Sequence, residues 1–149
     1  MTYEKYIETA REIFRERLNP FLEDLGLEPV TAFVDTMSEV KLLEKSLAVY
    51  PTANVTTYKE TETSAETSFT VTFYLNEDGS PESDNLNIKY FSAIVAFVHM
   101  HNFGEFDNIA EAYLSRMDAG EEANGCFVLI ESRIATKTDS DIYGDYYYG

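Results

Sequence analysis

A strand and the long apolar helix after it constrain the fold more than any other part of the sequence. Residues 69–75 alternate between a strongly apolar face and a face of threonine and tyrosine, the period of two expected for a strand with one buried side. A break at 76–85 contains Asp78-Gly79 and Ser80-Pro81, pairs that interrupt secondary structure. Residues 86–103 then place apolar side chains around most of a helix. Such a helix must be covered on more than one side, and the strand is its nearest partner.

The charge of the chain limits what its surface can bind. The 149 residues suit one domain with a sizeable core, and 44% of them are hydrophobic, which is typical of a folded protein. The chain has 27 Asp and Glu against 11 Lys and Arg, a net charge of -16, so most of the surface repels nucleic acid. Three interpretations of this acidity stay open: solubility alone, a surface past which DNA slides, or a surface that imitates DNA.

Cysteine use and the lack of long apolar runs indicate a soluble intracellular protein. Cys126 is the single cysteine, so no intramolecular disulfide is expected. It opens the apolar run CFVLI, which predicts a buried thiol rather than a nucleophile. The first residues, MTYEKYIETAREIF, lack the apolar core of a signal peptide, and no run reaches the roughly 18 apolar residues of a membrane span.

The first half of the chain predicts one helix and two short strands. An amphipathic helix is expected from a cap at Thr2, with an interruption at Asn19-Pro20 and an end at Gly26. Its apolar stripe consists of Tyr6, Ile7, Ala10, Ile13, Phe14 and Leu18. A short strand is predicted at 30–35, one or two helical turns at 39–45, and a strand at 46–51 that ends with Pro51.

Residues 53–75 predict a long hairpin with an acidic arm. A turn centred on Ser64-Ala65 would place Glu60 opposite Phe69. The same register sets two further pairs, Tyr58 with Val71 and Thr56 with Phe73. The outer half of this hairpin has little to bury, so it is expected to project into solvent. Its candidate interaction residues are Glu60, Glu62 and Glu66.

The second half predicts a helix, a strand and a tyrosine-rich tail. Asp107 would cap a helix at 107–117, and residues 126–138 would form an interior strand that completes a single domain at 1–138. Residues 139–149 have no periodicity that would bury them, so they are either disordered or docked on a partner. Aromatic residues are enriched at interfaces. The candidates in this tail are Tyr143, Tyr146, Tyr147 and Tyr148.

Residue spacing points to neither a metal nor a catalytic site. His99 and His101 would point about 200° apart on the predicted helix. The acidic runs at 78–84 and 139–145 lack the glutamate that closes a calcium loop. No phosphate loop or catalytic triad spacing is present, so we expect no cofactor, no metal and no catalytic residues. A binding or structural role is favoured, although an enzyme whose site is assembled from separated residues stays open.

The order of predicted elements over residues 3–135 resembles the tail-terminator and tail-completion proteins of long-tailed bacteriophages. The elements are a helix, a short strand, the strand ending in LAVYP, a polar hairpin into FTVTFYL, a long helix and a last apolar strand. The resemblance implies a ring, commonly six-fold, that caps the tail tube and joins it to the head. DNA would pass through a lumen lined by Glu60, Glu62 and Glu66. The predicted helix at 107–117 departs from this pattern.

The sequence therefore predicts a single α+β domain. Its mainly antiparallel sheet of four or five strands, with a long hairpin, would pack against an N-terminal helix and a long apolar central helix. The expected function is a self-associating structural subunit that contacts other tail or head-connector proteins, in the cytoplasm during assembly and then in the virion. No specific nucleic-acid binding and no membrane contact are expected. The alternative is an acidic decoy that occupies the DNA site of a host protein.

Overall fold

The computed structural model describes residues 3–36, 45–51, 59–60, 64–75, 81–104, 106–116 and 124–135. These residues form an α+β domain, as predicted. The helices are α1 (Tyr3–Asp24) and α2 (Pro81–Met100). The strands are β1 (Ala32–Val34), β2 (Ser46–Pro51), β3 (Lys59–Glu60), β4 (Ser64–Tyr74), β5 (Phe106–Arg116) and β6 (Asn124–Ala135).

The strands form one mixed sheet in the order β1-β2-β4-β6-β5, with β3 paired to the outer part of β4. Only the β1–β2 pair among the described strands is parallel, so the predicted antiparallel character is confirmed. Helix α1 contacts β2, whereas α2 contacts β5 and β6. The two helices also contact each other and share one core with the sheet, so they lie side by side on one face of it.

Helix α1 continues through Pro20, so the predicted interruption is wrong. Proline removes one backbone hydrogen bond, but Leu18 and Leu22 are fully buried on either side of it. The Asn19 side chain also accepts from Val30 N at 2.7 Å and donates to Val30 O at 3.1 Å. These tertiary contacts hold the last turn in place despite the proline.

The end of α1 is confirmed at Gly26. Its φ of 77° is a conformation that glycine adopts without strain. Leu27 N donates to Leu22 O at 2.9 Å, and Gly26 N donates to Glu23 O at 3.0 Å. This pair of bonds is a Schellman motif, which satisfies carbonyls left over at the helix end.

Helix α2 begins at Pro81, five residues before the predicted start at 86. Proline suits the first position of a helix, because its missing N–H would have no partner there. Glu82 and Asp84 lie in the first turn, where negative charge is favourable. Pro81 therefore marks a helix start rather than a break.

Residues 107–116 of the helix predicted at 107–117 lie in strand β5, so that prediction is wrong. A β-bulge between Ile109 and Glu111 adds one residue to the strand. The extra residue brings Ile109 and Ala112 to the same face, which imitates the three-residue spacing of a helix. The apolar strand β6 pairs along the whole segment, and this pairing decides between the two conformations.

The hairpin register differs from the prediction by four residues. Glu60 lies opposite Ala65 rather than Phe69. The positions predicted to face Thr56 and Tyr58, which lie outside the described residues, pair with β2 instead: Val71 with Val49 and Phe73 with Leu47. Strand β2 offers Leu47 and Val49 as partners where the predicted hairpin offered Thr56 and Tyr58, and cross-strand apolar pairs stabilise a register.

The core lies between the helices and the sheet and is built around phenylalanines. The Phe14 ring centroid is 5.0 Å from that of Phe97 and 5.4 Å from that of Phe103. Phe69 of β4 lies 5.4 Å from Phe103, so rings from both helices and the sheet meet. Phe73 stacks on Tyr90 at 4.7 Å. Aromatic pairs at these distances add to the stability gained by burial.

Candidate interaction surfaces

The sheet face turned away from the helices is also buried at β4. Thr70, Thr72 and Tyr74 are each 1% exposed, so the predicted single buried side is wrong. The hydroxyls of Tyr50 and Thr72 lie 2.8 Å apart and share a hydrogen bond. Burial raises the pKa of Tyr74. On this face Tyr74 and Ala48 form a small apolar cluster, against which the partly buried Val34 and Tyr50 pack.

The acidic arm is part of the sheet. Glu60 lies in β3 and Glu66 in β4, whereas Glu62 lies outside the described residues. Lys59 and Arg133 occupy the register positions on either side of Glu66. The arm therefore pairs with β6 rather than projecting as an isolated hairpin. Within it, the position of Glu66 lies between two basic positions.

The candidate tyrosines of the tail, Tyr143, Tyr146, Tyr147 and Tyr148, lie outside the described residues. So do residues 39–44 of the helical turns predicted at 39–45. Docking of the tail on a partner stays a prediction.

Cys126 is buried in β6, as predicted. Its register neighbours are Phe73 on β4 and Leu114 on β5. Burial raises the pKa of its thiol to about 12, against a small opposing effect of a backbone hydrogen bond from Phe73. The thiol is protonated at neutral pH and is therefore a weak nucleophile.

The two histidines lie at the end of α2 and point to different surroundings. His99 is exposed in the last turn. His101 follows the helix, with Nδ1 3.0 Å from Phe97 O and its ring 4.0 Å from the Phe97 ring. Among the side chains described by the structure, no three of His, Cys, Asp or Glu are grouped to hold a metal ion. Neither described helix has the length and apolarity needed to cross a membrane.

Arginines attach α1 to the β1 side of the sheet. Arg11 Nε donates to Val49 O at 2.9 Å, and its other nitrogens bond Glu8 at 2.7 Å and Asp35 O at 3.3 Å. Arg15 donates to the Asp35 carboxylate at 3.0 Å. The acidic surface of α1 is therefore interrupted by arginines that are already paired.

The β5 side of the sheet is open by comparison. Within the described ranges β5 pairs with β6 alone, and Asn108, Ala110 and Glu111 on it are exposed. Leu114 of β5 is 39% exposed and Ile88 of α2 is 47% exposed. Sequence reasoning missed this edge, because it assigned β5 to a helix. Alternation on either side of one bulge is a signal for a strand at 106–116, although it does not show that the strand lies at an edge.

Asn87 connects α2 to the start of β6. Its Nδ2 donates to Gly125 O at 3.1 Å, while its buried Oδ1 has no hydrogen-bond partner among the residues that the structure describes. Gly125 lies opposite Ser115 of β5, so this contact fixes the first half of α2 near the Leu114 end of the edge.

Comparison with protein-family models and with curated proteins finds no match to this chain.

Proposed function

We propose that this chain is a structural assembly subunit rather than an enzyme. In this proposal copies of it form a ring that caps a bacteriophage tail tube and joins it to the head, with other tail or head-connector proteins as partners. The subunit works in the cytoplasm during assembly and then in the virion. The observation that carries the proposal is the acidic hairpin built into the sheet.

The hairpin has the support that a lumen-lining element needs. Strand β4 continues from Phe73, which pairs with Leu47 of β2, to Ser64. Strand β6 pairs with β4 over this whole length. Strands with partners on both sides are held more rigidly than a free loop. Glu66 is thus carried on a strand with partners on both sides, and Glu60 lies beside it on β3. An acidic ring lining at this end of the sheet would repel passing DNA.

The alternation of charge disfavours the DNA-mimic alternative. A decoy needs carboxylates arranged like two rows of phosphates, without cations between them. Lys59 and Arg133 flank the position of Glu66, and Arg11 and Arg15 interrupt the acids near α1. Both described acidic regions therefore depart from the pattern of a decoy.

Ring formation is tested by sedimentation of the purified chain over a range of protein and salt concentrations, with negative-stain images of the heaviest species. We expect closed rings that salt strengthens, because each subunit carries a net charge of -16 and salt screens the repulsion between subunits. A chain that forms no closed assembly under any of these conditions contradicts the ring.

The lumen is tested by neutralising the arm. The triple variant Glu60→Gln, Glu62→Gln and Glu66→Gln should form rings that retain duplex DNA at low salt, because the repulsion is reduced. The matched control changes three exposed glutamates of α1, Glu4, Glu12 and Glu16, to glutamine. Equal DNA retention by both variants would show that the arm does not line the lumen.

A further inference from the structure

We propose that β5 is a self-association edge, along which a second copy of the chain adds its own β5 antiparallel across a twofold axis. The two sheets then form one continuous sheet. This inference goes beyond the ring proposal, since a twofold contact joins two subunits through the same surface, whereas a ring requires head-to-tail contacts between different surfaces.

The backbone of β5 offers a long edge for this pairing. Its eleven residues, Phe106–Arg116, bond to β6 on one side, and the strand order of the described sheet ends there. The opposite edge, β1, has three residues. Proteins usually cover or shorten a long edge, because its free N–H and C=O groups pair readily with another strand.

Helix α2 adds an apolar flank above this edge. Phe97 contacts Phe14 and Phe21 of α1, with ring centroids 5.0 and 5.8 Å apart, so its side of α2 faces α1. Ile88, Phe91 and Val95 lie about 120–180° around the helix from Phe97. They therefore face the β5 side of the molecule, where Ile88 is exposed and the other two are half-buried.

Strand β5 continues this apolar surface. Ile109, Ala112 and Leu114 lie opposite the core residues Ile130, Val128 and Cys126 of β6 and share their face. Leu114 is 39% exposed. The β5 apolar strip consists of Ile88, Phe91, Val95, Ile109, Ala112 and Leu114. A second copy placed along β5 would bring its own strip against this one and bury both.

The sequence of β5 is self-complementary in one register. Residues opposite each other in an antiparallel pair share a face. With Ala110 set aside as the bulge, a pair centred on Ala112 places Leu114 opposite Ile109 of the second copy. The same register places Asp107 opposite Arg116. Each of these pairs occurs twice in the dimer, and the small residue Ala112 lies on the twofold axis.

The two adjacent registers that keep faces matched are both unfavourable. A pair centred on Tyr113 would set the charge of Arg116 opposite an apolar residue. A pair centred on Glu111 would place two glutamates opposite each other and would set Leu114 against Asp107. Like charges directly opposite destabilise a strand pair. The charges and the apolar residues of β5 thus select the same register, which identifies a second copy as the partner of this edge.

The experiment measures the dissociation constant of the dimer by sedimentation equilibrium of the full chain in about 0.3 M salt, where repulsion between the acidic copies is screened. Leu114→Lys should raise the dissociation constant about tenfold or more, because two apolar contacts are lost from each dimer. The matched control is Leu25→Lys at the end of α1, where Leu25 is 53% exposed. It should change the constant by less than about twofold.

Charge exchange tests the register. Asp107→Arg and Arg116→Asp should each weaken the dimer severalfold, and the double variant should restore it. The two positions are nine residues apart on one strand, about 30 Å, so restoration reports a contact between two copies. Circular dichroism of each variant confirms that the monomer is folded.

Several outcomes overturn the proposal. They are a wild-type chain that stays monomeric up to several hundred micromolar, a Leu114→Lys variant that dimerises as tightly as the wild type, and a charge exchange without restoration. Closed rings without a dimer support the ring and overturn the twofold pair, whereas dimers that respond as described support the pair even where no ring forms. Protection of the β5 amides from hydrogen exchange only when another protein binds assigns the edge to that protein and overturns the pair.

Discussion

The two edges of the sheet differ in how they are finished. At the β1 edge, Arg11 and Arg15 bind Asp35. The Lys45 ammonium forms a 2.9 Å ion pair with the Glu28 carboxylate. The Lys45 carbonyl accepts a 2.9 Å hydrogen bond from Thr31 N. The β5 edge instead has eleven residues with a half-exposed leucine. A short strand secured by side chains is closed to further pairing, whereas a long strand with apolar neighbours is ready for it.

We expect substitutions in the core between the helices and the sheet to lower the free energy of unfolding more than substitutions at the open β5 edge. Phe14 of α1 is fully buried in the core, so Phe14→Ala should lower the free energy of unfolding by about 3–5 kcal/mol. Leu114→Ala at the open edge should cost the monomer less than about 1 kcal/mol, because part of that side chain is already in water. The measurement is denaturant unfolding at a protein concentration low enough to keep both variants monomeric. Equal losses would contradict the contrast.

The thiol of Cys126, on β6 next to the β5 edge, predicts how stability depends on pH. The pKa of Cys126 is about 12 in the folded protein against an ordinary value of 9.0, so the unfolded chain loses this proton first as pH rises. The stabilisation is fully present below pH 9 and is lost as pH rises toward 12. The free energy of unfolding should fall by about 1.4 kcal/mol per pH unit in that window.

The control for this test is Cys126→Ala, which removes the thiol but keeps the other titrating groups. The difference between the two pH profiles isolates the cysteine, and parallel profiles would exclude the predicted effect. Thiol labelling near neutral pH adds a second readout. If the open β5 edge separates locally from β6, Cys126 should be labelled faster than global unfolding allows.

The contacts at the β1 edge predict a smaller effect. Arg11 has a side chain only 16% exposed and bonds Val49 O, Glu8 and Asp35. Arg11→Ala should cost about 1–2 kcal/mol, because it leaves the Val49 carbonyl without this donor. Arg15, with a side chain 43% exposed, is the matched control. Its surface ion pair should contribute less than about 1 kcal/mol, and a larger loss at Arg15 than at Arg11 would reverse our account of this edge.

Local signals in the sequence predicted most of the framework. The strands at β2 and β4, the Gly26 helix end and the buried thiol follow from alternation, from glycine conformation and from apolar runs, which act over a few residues. Pro20 and Pro81 show the limit of such signals. One is tolerated inside a helix because Asn19 and the flanking leucines hold it, and the other begins a helix.

The interaction surfaces were harder to predict, because they depend on pairing between distant segments. Glu60 and Glu66 were identified from their charge, but the basic positions beside Glu66 come from β3 and from β6, far apart in sequence. The open edge depends on the neighbours of β5 in the sheet. No periodicity within 106–116 shows which side of the strand is left unpaired.

The sequence by itself determined the α+β class, the apolar central helix and the large negative charge, since each is a property of composition or of local period. Tertiary structure alone decided that 106–116 is a strand, that Val71 and Phe73 of β4 pair with β2, and that both faces of β4 are buried. A segment with mixed local preferences takes the conformation that satisfies its backbone hydrogen bonds and buries its apolar side chains against its neighbours. Those neighbours are known only from the fold.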